Sequence, residues 1–248
     1  MRLPTALMII LAAAPAAAQP QDGARLRERV EQRHAQSRTV EPQPGTERIL
    51  LAKDGGTRAF LLHAPPGAQG PRPLVLVFHG LGGSGAVVER MSRFSALAAA
   101  QGFLVAYPEG REGAWRVFAP DRADVAYARD VVAAVAERHA VDRRRVYAAG
   151  ISNGAMMAAL LGCEAPETFR AVGLVSGGYV RPCPTAPRAP AMLFNGTADD
   201  LLPIGGRGRM MPVRDFAAAW GSGPGCRATP HALAPMGGAP AERFACGG

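Results

Sequence analysis

Gly150-Ile151-Ser152-Asn153-Gly154 stands between an apolar run of β type, Arg145-Val-Tyr-Ala-Ala149, and a helix-forming run, Ala155-Met-Met-Ala-Ala-Leu-Leu161. The order is strand, sharp turn, helix, with a serine at the apex. A serine held there adopts a strained backbone and projects its hydroxyl above the sheet. The glycines two residues to either side let strand and helix approach without a Cβ clash. The start of the helix aims free N–H groups at any negative charge formed beside the serine. The pentapeptide alone also fits an ordinary small-residue turn, so its reading as a nucleophile's corner rests on its surroundings.

Working outward, the chain alternates strand and helix patterns. Pro73-Leu-Val-Leu-Val-Phe78, Phe103-Leu-Val-Ala-Tyr107, Ala171-Val-Gly-Leu-Val175 and Ala191-Met-Leu-Phe194 are continuous apolar runs, as strands covered on both faces require. Helix patterns fall between them at about 86–100 and 124–139, and a further one begins at 215–220. Ahead of these, Arg48-Ile-Leu-Leu-Ala52 and Thr57-Arg-Ala-Phe-Leu-Leu62 flank Asp54-Gly-Gly56, a β-hairpin signal. The expected fold class is α/β, a mostly parallel central sheet with helices on both faces and an antiparallel hairpin at its start. Residues 21–36 are charged and mildly helical, and Glu41-Pro-Gln-Pro-Gly45 breaks them off, which predicts a linker or surface helix outside the core.

Acyl transfer by a serine needs a nucleophile, a base, an acid that orients the base, and donors for the oxyanion. His79-Gly80-Leu81-Gly82-Gly83-Ser84-Gly85 follows the strand ending at Phe78. In an α/β-hydrolase the loop after that strand supplies one oxyanion N–H and the residue after the nucleophile supplies the other. These would be the backbone N–H groups of Leu81 and Asn153, with His79 bracing the loop. Asn195-Gly-Thr-Ala-Asp199-Asp200 follows the second strand after the nucleophile's, so Asp199 is the expected acid and Asp200 the second choice. A rival reading exists, because Gly80-x-Gly82-x-x-Gly85 also matches a dinucleotide-binding fingerprint. A hairpin precedes the motif, the chain carries an export signal, and Glu109 lies further along than the usual ribose-binding acid, so this stays a minor alternative.

Composition narrows the class. Arg2, the apolar stretch 6–14 and Ala16-Ala-Ala18 describe a secretory signal peptide over residues 1–18. That apolar core is too short to span a bilayer. About 230 residues would remain, enough for one α/β domain with a sizeable core. The net charge is +8, but the arginines are scattered, Lys53 is the single lysine, and no aromatics interleave with Arg143-Arg144-Arg145. Nucleic-acid binding is therefore not expected, nor is a membrane after signal removal. Cys163, Cys183, Cys226 and Cys246 in an exported chain favour disulfides in a secreted or periplasmic protein, and their spacing does not fit a zinc site. Three pairings are possible; local closure suggests Cys163–Cys183 and Cys226–Cys246.

His79-Gly-Leu-Gly-Gly-Ser-Gly85, Tyr107-Pro-Glu-Gly110, Asp142-Arg143 through Tyr147, Gly150-Ile-Ser-Asn-Gly-Ala-Met156 and Asn195-Gly-Thr-Ala-Asp199 together resemble the secreted esterases that include polyhydroxybutyrate depolymerases and feruloyl esterases. The resemblance runs from about Arg48 to the C-terminus. It implies a serine esterase of α/β-hydrolase fold with no metal or organic cofactor. Ser152 would be the nucleophile and Asp199 the triad acid, and Trp115 would form a wall of the acyl pocket or else pack in the core. The substrates implied are short-chain, hydroxycinnamoyl or polyhydroxyalkanoate-type esters, small or polymeric. The domain division expected is a signal peptide over 1–18, an N-terminal segment or linker over 19–45, and a hydrolase domain over 46–248 truncated before its last strand. The family's base histidine lies in a late Gly-Gly-His-x-Trp stretch, and no histidine follows Cys246 here. His34, His63 and His139 are poorly located in the sequence, and His231, after Asp199, reads as a loop residue. An impaired remnant or an exported binding protein is therefore the alternative to an active esterase.

Overall fold

The computed structural model describes residues 20–53, 56–67, 70–177, 183, 188–208, 210–223 and 225–245. The signal-peptide expectation lies outside them. Seven strands form the central sheet: β1 (Thr46–Lys53), β2 (Gly56–His63), β3 (Arg72–Phe78), β4 (Leu104–Pro108), β5 (Val141–Ile151), β6 (Ala171–Val175) and β7 (Ala191–Phe194). Their spatial order is β1-β2-β4-β3-β5-β6-β7. The β1–β2 hairpin joins β4 antiparallel, and the pairs from β4 through β3, β5 and β6 to β7 are parallel. The helices are α1 (Pro20–Ser37), α2 (Gly85–Ser92), α3 (Phe94–Gln101), α4 (Ala123–Arg138), α5 (Asn153–Glu164) and α6 (Val213–Gly221). This is the α/β-hydrolase architecture expected from the alternation of apolar runs.

The period-two rule shows how the sheet is covered. Phe60 and Leu62 of β2, Leu74, Leu76 and Phe78 of β3, and Leu104 and Ala106 of β4 face one core, which they share with Val131 and Val135 of α4 and Met157 and Leu161 of α5. Leu61, Val77, Val105 and Tyr107 face the other, beneath Ala86 and Val88 of α2 and Ala98 of α3. Both faces of the central strands are thus dry, which accounts for their unbroken apolar composition.

Two expectations need correction. The helix read as continuous over 86–100 is two helices. Arg93 adopts φ 57° and ψ 21°, and its N–H closes α2 on Glu89 O. The break turns Ser95 under the buried Glu89 carboxylate, to which its hydroxyl donates at 2.7 Å. Of the two forms expected for the N-terminal segment the structure has the surface helix, α1, and its last residue is tied to the domain, since Ser37 is buried and its carbonyl accepts from the Ser84 hydroxyl at 2.9 Å. His231 is not in a loop. It lies in β8 (Thr229–Met236), which pairs antiparallel with β9 (Ala239–Ala245) in a separate two-stranded sheet. Alternation is weak there and Pro230 and Pro235 interrupt it, so the run carried no legible strand pattern.

Cys163 is bonded to Cys183, linking α5 to the segment before β7. Cys226 is also disulfide-bonded; the expected partner, Cys246, lies outside the described residues.

The register aligns the strand ends. Phe78 pairs with Gly150, Gly150 with Leu174, and Leu174 with Leu193. The segments that follow β3, β5, β6 and β7 therefore emerge along one edge. The corner after β5 has no room for side chains. A Cβ on Gly154 would lie 2.2 Å from Phe78 O and 2.5 Å from His79 O, and one on Gly150 would lie 2.2 Å from Gly154 O. Gly154→Ala should accordingly cost more than about 3 kcal/mol or abolish folding, since backbone and not a flexible side chain must give way. Gly205→Ala, with nothing within 4 Å of its Cβ position, should stay within about 0.5 kcal/mol of the parent. Urea unfolding of the two variants checks the contrast.

Candidate active site

Ser152 sits between β5 and α5 with φ 55° and ψ −121°. A non-glycine residue at positive φ with this ψ stores on the order of 1–3 kcal/mol and persists only where its surroundings fix it. Here they do. The Ser152 N–H donates to Val175 O at 2.9 Å, and its carbonyl accepts from Met156 N–H at 3.1 Å. The loop after β3 passes against it, for a Cβ on Gly80 would lie 3.5 Å from Ser152 Cβ. The next residue, Leu81, is partly exposed, while Asn153 opens α5 with an N–H in the first turn, where helices have no internal partner. The structure thus brings the Ser152 corner and the glycine loop together.

The Asn153 side chain has a structural role that its sequence position did not reveal. Its side-chain carbonyl accepts from Trp115 N–H at 2.8 Å and its amide donates to Trp115 O at 3.1 Å. The Trp115 indole N–H donates in turn to His79 O at 2.9 Å. Its ring lies 5.0 Å from those of Phe78 and His79 and is almost wholly buried. Trp115 therefore packs in the core and supports the glycine loop from beneath, which favours the packing alternative over the pocket wall.

His79 braces the loop as expected. Its Nδ1–H donates to Gly80 O at 2.8 Å and its Nε2 accepts from Gly110 N–H at 3.0 Å. The acceptor role at Nε2 fixes the neutral ring. Burial, the main cause, lowers its pKa to about 4, with His34 and Arg58 adding like charge. A further buried group was missed in the sequence. Arg58 pairs with Asp124 at 2.7 Å, lies 3.5 Å over the Tyr127 ring and donates to Glu109 O. Asp124 also accepts from Arg116 N–H at 2.7 Å. Together they hold both ends of the loop carrying Trp115. The available signal was an arginine two positions from fully buried Phe60 in a strand.

Asp199 follows β7. Its carboxylate accepts from the N–H groups of Leu202 at 2.9 Å and Leu201 at 3.1 Å. The Leu202 bond foremost, with help from the Ser176 hydroxyl and Leu201, holds its pKa below the usual aspartate value. Ser176 is the link to the nucleophile, since it follows Val175, whose carbonyl receives the Ser152 N–H. Asp200 is exposed, and its carbonyl accepts from Arg207. Beside Ser176 and Asn195 a cleft of about 2000 Å³ opens between β7, α6 and the β8–β9 hairpin, with Met192, Phe194 and Leu233 in its lining.

The histidines divide by location. His139 meets Arg72 at the start of β3, and His63 pairs with Val105 away from the end of β4, so both lie toward the opposite sheet edge. His231 contacts Thr229 within its own hairpin at 3.3 Å. His34 lies against the glycine loop, with Nδ1 3.3 Å from Gly83 O. No contact joins any of these four rings to Ser152 or Asp199 among the described residues.

Comparison with known proteins identifies the family. Residues 58–205 match the family described as esterase PHB depolymerase, and the chain belongs to that family. It is 40% identical over 185 residues to "Putative esterase NocK" of Nocardia uniformis subsp. tsuyamanensis, covering 67% of this chain and 54% of that protein. It is 31% identical over 166 residues to feruloyl esterase B of Piromyces equi, covering 60% of this chain and 30% of that one. The chain thus spans about half, or less, of the length of these curated relatives. Among solved structures, the acetyl xylan esterase from Aspergillus awamori superposes with a TM-score of 0.62 at 15% identity, over 81% of this chain and 89% of that chain, a likeness of fold. The family match spans the Gly80–Gly85 run, which leaves the dinucleotide reading without support.

The buried neutral His79 has a consequence for acid stability. Its folded pKa lies below the unfolded value near 6.5, so the unfolded chain takes up a proton first as pH falls. The contribution is constant above pH 6.5 and is lost between 6.5 and about 4, amounting to about 3 kcal/mol. His79→Asn, which cannot titrate, should be less stable than the parent at pH 7, and the gap should narrow by about that amount by pH 4 in urea titrations.

Proposed function

We propose that this protein is a serine carboxylic ester hydrolase working through an acyl-enzyme. Ser152 Oγ attacks the ester carbonyl, and the oxyanion is stabilised by the N–H groups of Leu81 and Asn153. The alcohol leaves, and water releases the acid by the same route. The Ser152 proton must pass to a base that Asp199 would orient, a place that no described histidine takes. The observation that carries this reading is the strained Ser152 corner, with φ 55° and ψ −121°, lying against Gly80 of the oxyanion loop. Membership of the esterase PHB depolymerase family supports the reaction class. Relatives named as feruloyl esterase and poly(3-hydroxyalkanoate) depolymerase suggest hydroxycinnamoyl, polyhydroxyalkanoate or short acyl esters as substrates. The Cys163–Cys183 bridge suits a secreted or periplasmic protein, and no described helix is long and apolar enough to cross a membrane.

The locations of the histidines favour a second reading. His79 is committed to the loop, His63 and His139 lie toward the far sheet edge, and His231 contacts its own hairpin. A protein that keeps the corner without an effective base would be a binding or remnant form. A fluorophosphonate probe and p-nitrophenyl butyrate separate the two. The esterase reading expects labelling at Ser152 and turnover, with Ser152→Ala losing the label and about 10⁴-fold or more in kcat. A folded wild-type protein with neither label nor turnover would establish the second reading instead.

A further inference from the structure

We infer that α1 clamps the oxyanion loop and that His34 is a positioning residue for it. The kinetic part of this inference rests on the esterase reading above; the structural part does not. Residues 80–85 include Gly80, Gly82, Gly83 and Gly85, so the loop has little side-chain surface with which to order itself. Its internal ties are Gly83 N–H to Gly80 O at 2.9 Å and the His79 Nδ1–H bond to Gly80 O. Gly82 N–H reaches Gly113 O at 2.8 Å on the neighbouring turn.

One turn of α1 closes over this contact from outside. His34 Nδ1 lies 3.3 Å from Gly83 O, a carbonyl that can only accept, so the ring nitrogen donates. The same ring covers Gly113, where a Cβ would fall 2.6 Å from Nδ1. The stem of Arg33 covers Gly82, where a Cβ would fall 3.0 Å from Cδ. The Ser84 hydroxyl donates to Ser37 O, with both residues buried. Arg33, His34 and Ser37 thus hold Gly82, Gly83, Ser84 and Gly113, immediately after Leu81.

The segment that follows the helix is itself anchored. Arg90 donates twice to Glu41 O, Gln43 N–H donates to Glu89 Oε2 at 3.0 Å, and the Thr46 hydroxyl donates to the same buried carboxylate. Residues 20–45 precede the stretch matched by the family, residues 58–205. An oxyanion donor displaced by a fraction of an ångström loses much of its advantage, because its strength lies in being fixed before charge develops.

The test uses the full chain with His34→Ala, His34→Asn and Ser84→Ala, each checked for folding by thermal melting. Two quantities are read: kcat and KM for p-nitrophenyl butyrate, and hydrogen–deuterium exchange of the 80–85 peptide. His34→Ala should lower kcat about tenfold with KM within about twofold, and should speed exchange in 80–85. His34→Asn, which restores an N–H donor, should recover most of both, and Ser84→Ala should reproduce the His34→Ala pattern. Unchanged kcat, a change in KM alone, unchanged loop exchange, or no recovery with His34→Asn would overturn the clamp. If His34→Ala does not fold, Ser84→Ala decides on the same two quantities. If the wild type neither labels nor turns over, the esterase reading fails by itself, and exchange alone then sustains or overturns the clamp.

Discussion

Backbone meets backbone where α5 crosses the ends of β3 and β5, and most of the site depends on that contact. With Gly154 against the carbonyls of Phe78 and His79, and Gly150 against the carbonyl of Gly154, no side chain separates helix from sheet. The chain must then turn within one residue, and Ser152 takes the positive φ that such a turn demands. The strain is a result of the packing, and packing on both faces of the sheet holds it in place. A looser corner would relax the serine and move the first N–H of α5 away from the loop after β3.

Around the corner, buried polar groups do what apolar packing cannot. Asn153 fixes the Trp115 backbone, Trp115 fixes His79, and His79 joins the glycine loop to the Gly110 turn. Arg58 and Asp124 hold the other side of the same loop from a nearly dry position. A buried ion pair is weak support for overall stability, but removal of either partner is severe, and directional bonds specify one arrangement. Here that arrangement sets the position of the Ser152 corner against the glycine loop after β3, which are borne on separate elements.

The sequence made the central fold readable because its strands are dry on both faces. Apolar runs such as 73–78 and 103–107 have no plausible position except inside a covered sheet, and the Gly-x-Ser-x-Gly corner identified the strand beside them. That Ser152, Leu81, Asn153 and Asp199 would share one edge was legible because each follows a strand end, and the register of the parallel strands gathers those ends there. Other features lacked any local signal. The α2–α3 break depends on a hydroxyl reaching Glu89 across the turn, and the docking of α1 depends on glycines nearly fifty residues away. Trp115 could have been wall or support, since an indole suits both, and its partners Asn153 and His79 are distant in sequence. The β8–β9 hairpin is mostly exposed, so it lacks the buried alternating face from which strands are recognised.

The Cys163–Cys183 bridge carries a consequence for assembly. α5 begins just after Ser152, and β7, which leads to Asp199, is a four-residue strand that among the described residues pairs only with β6. With thiols in place of the bridge, that brief pairing and the contacts of neighbouring loops alone would register the Asp199 segment against the Ser152 corner. The covalent tie makes thiol–disulfide poise part of how α5 and the segment leading to β7 are kept in step, so that the oxidising power of the surroundings, as well as the chain's own packing, governs how firmly this edge of the sheet is held.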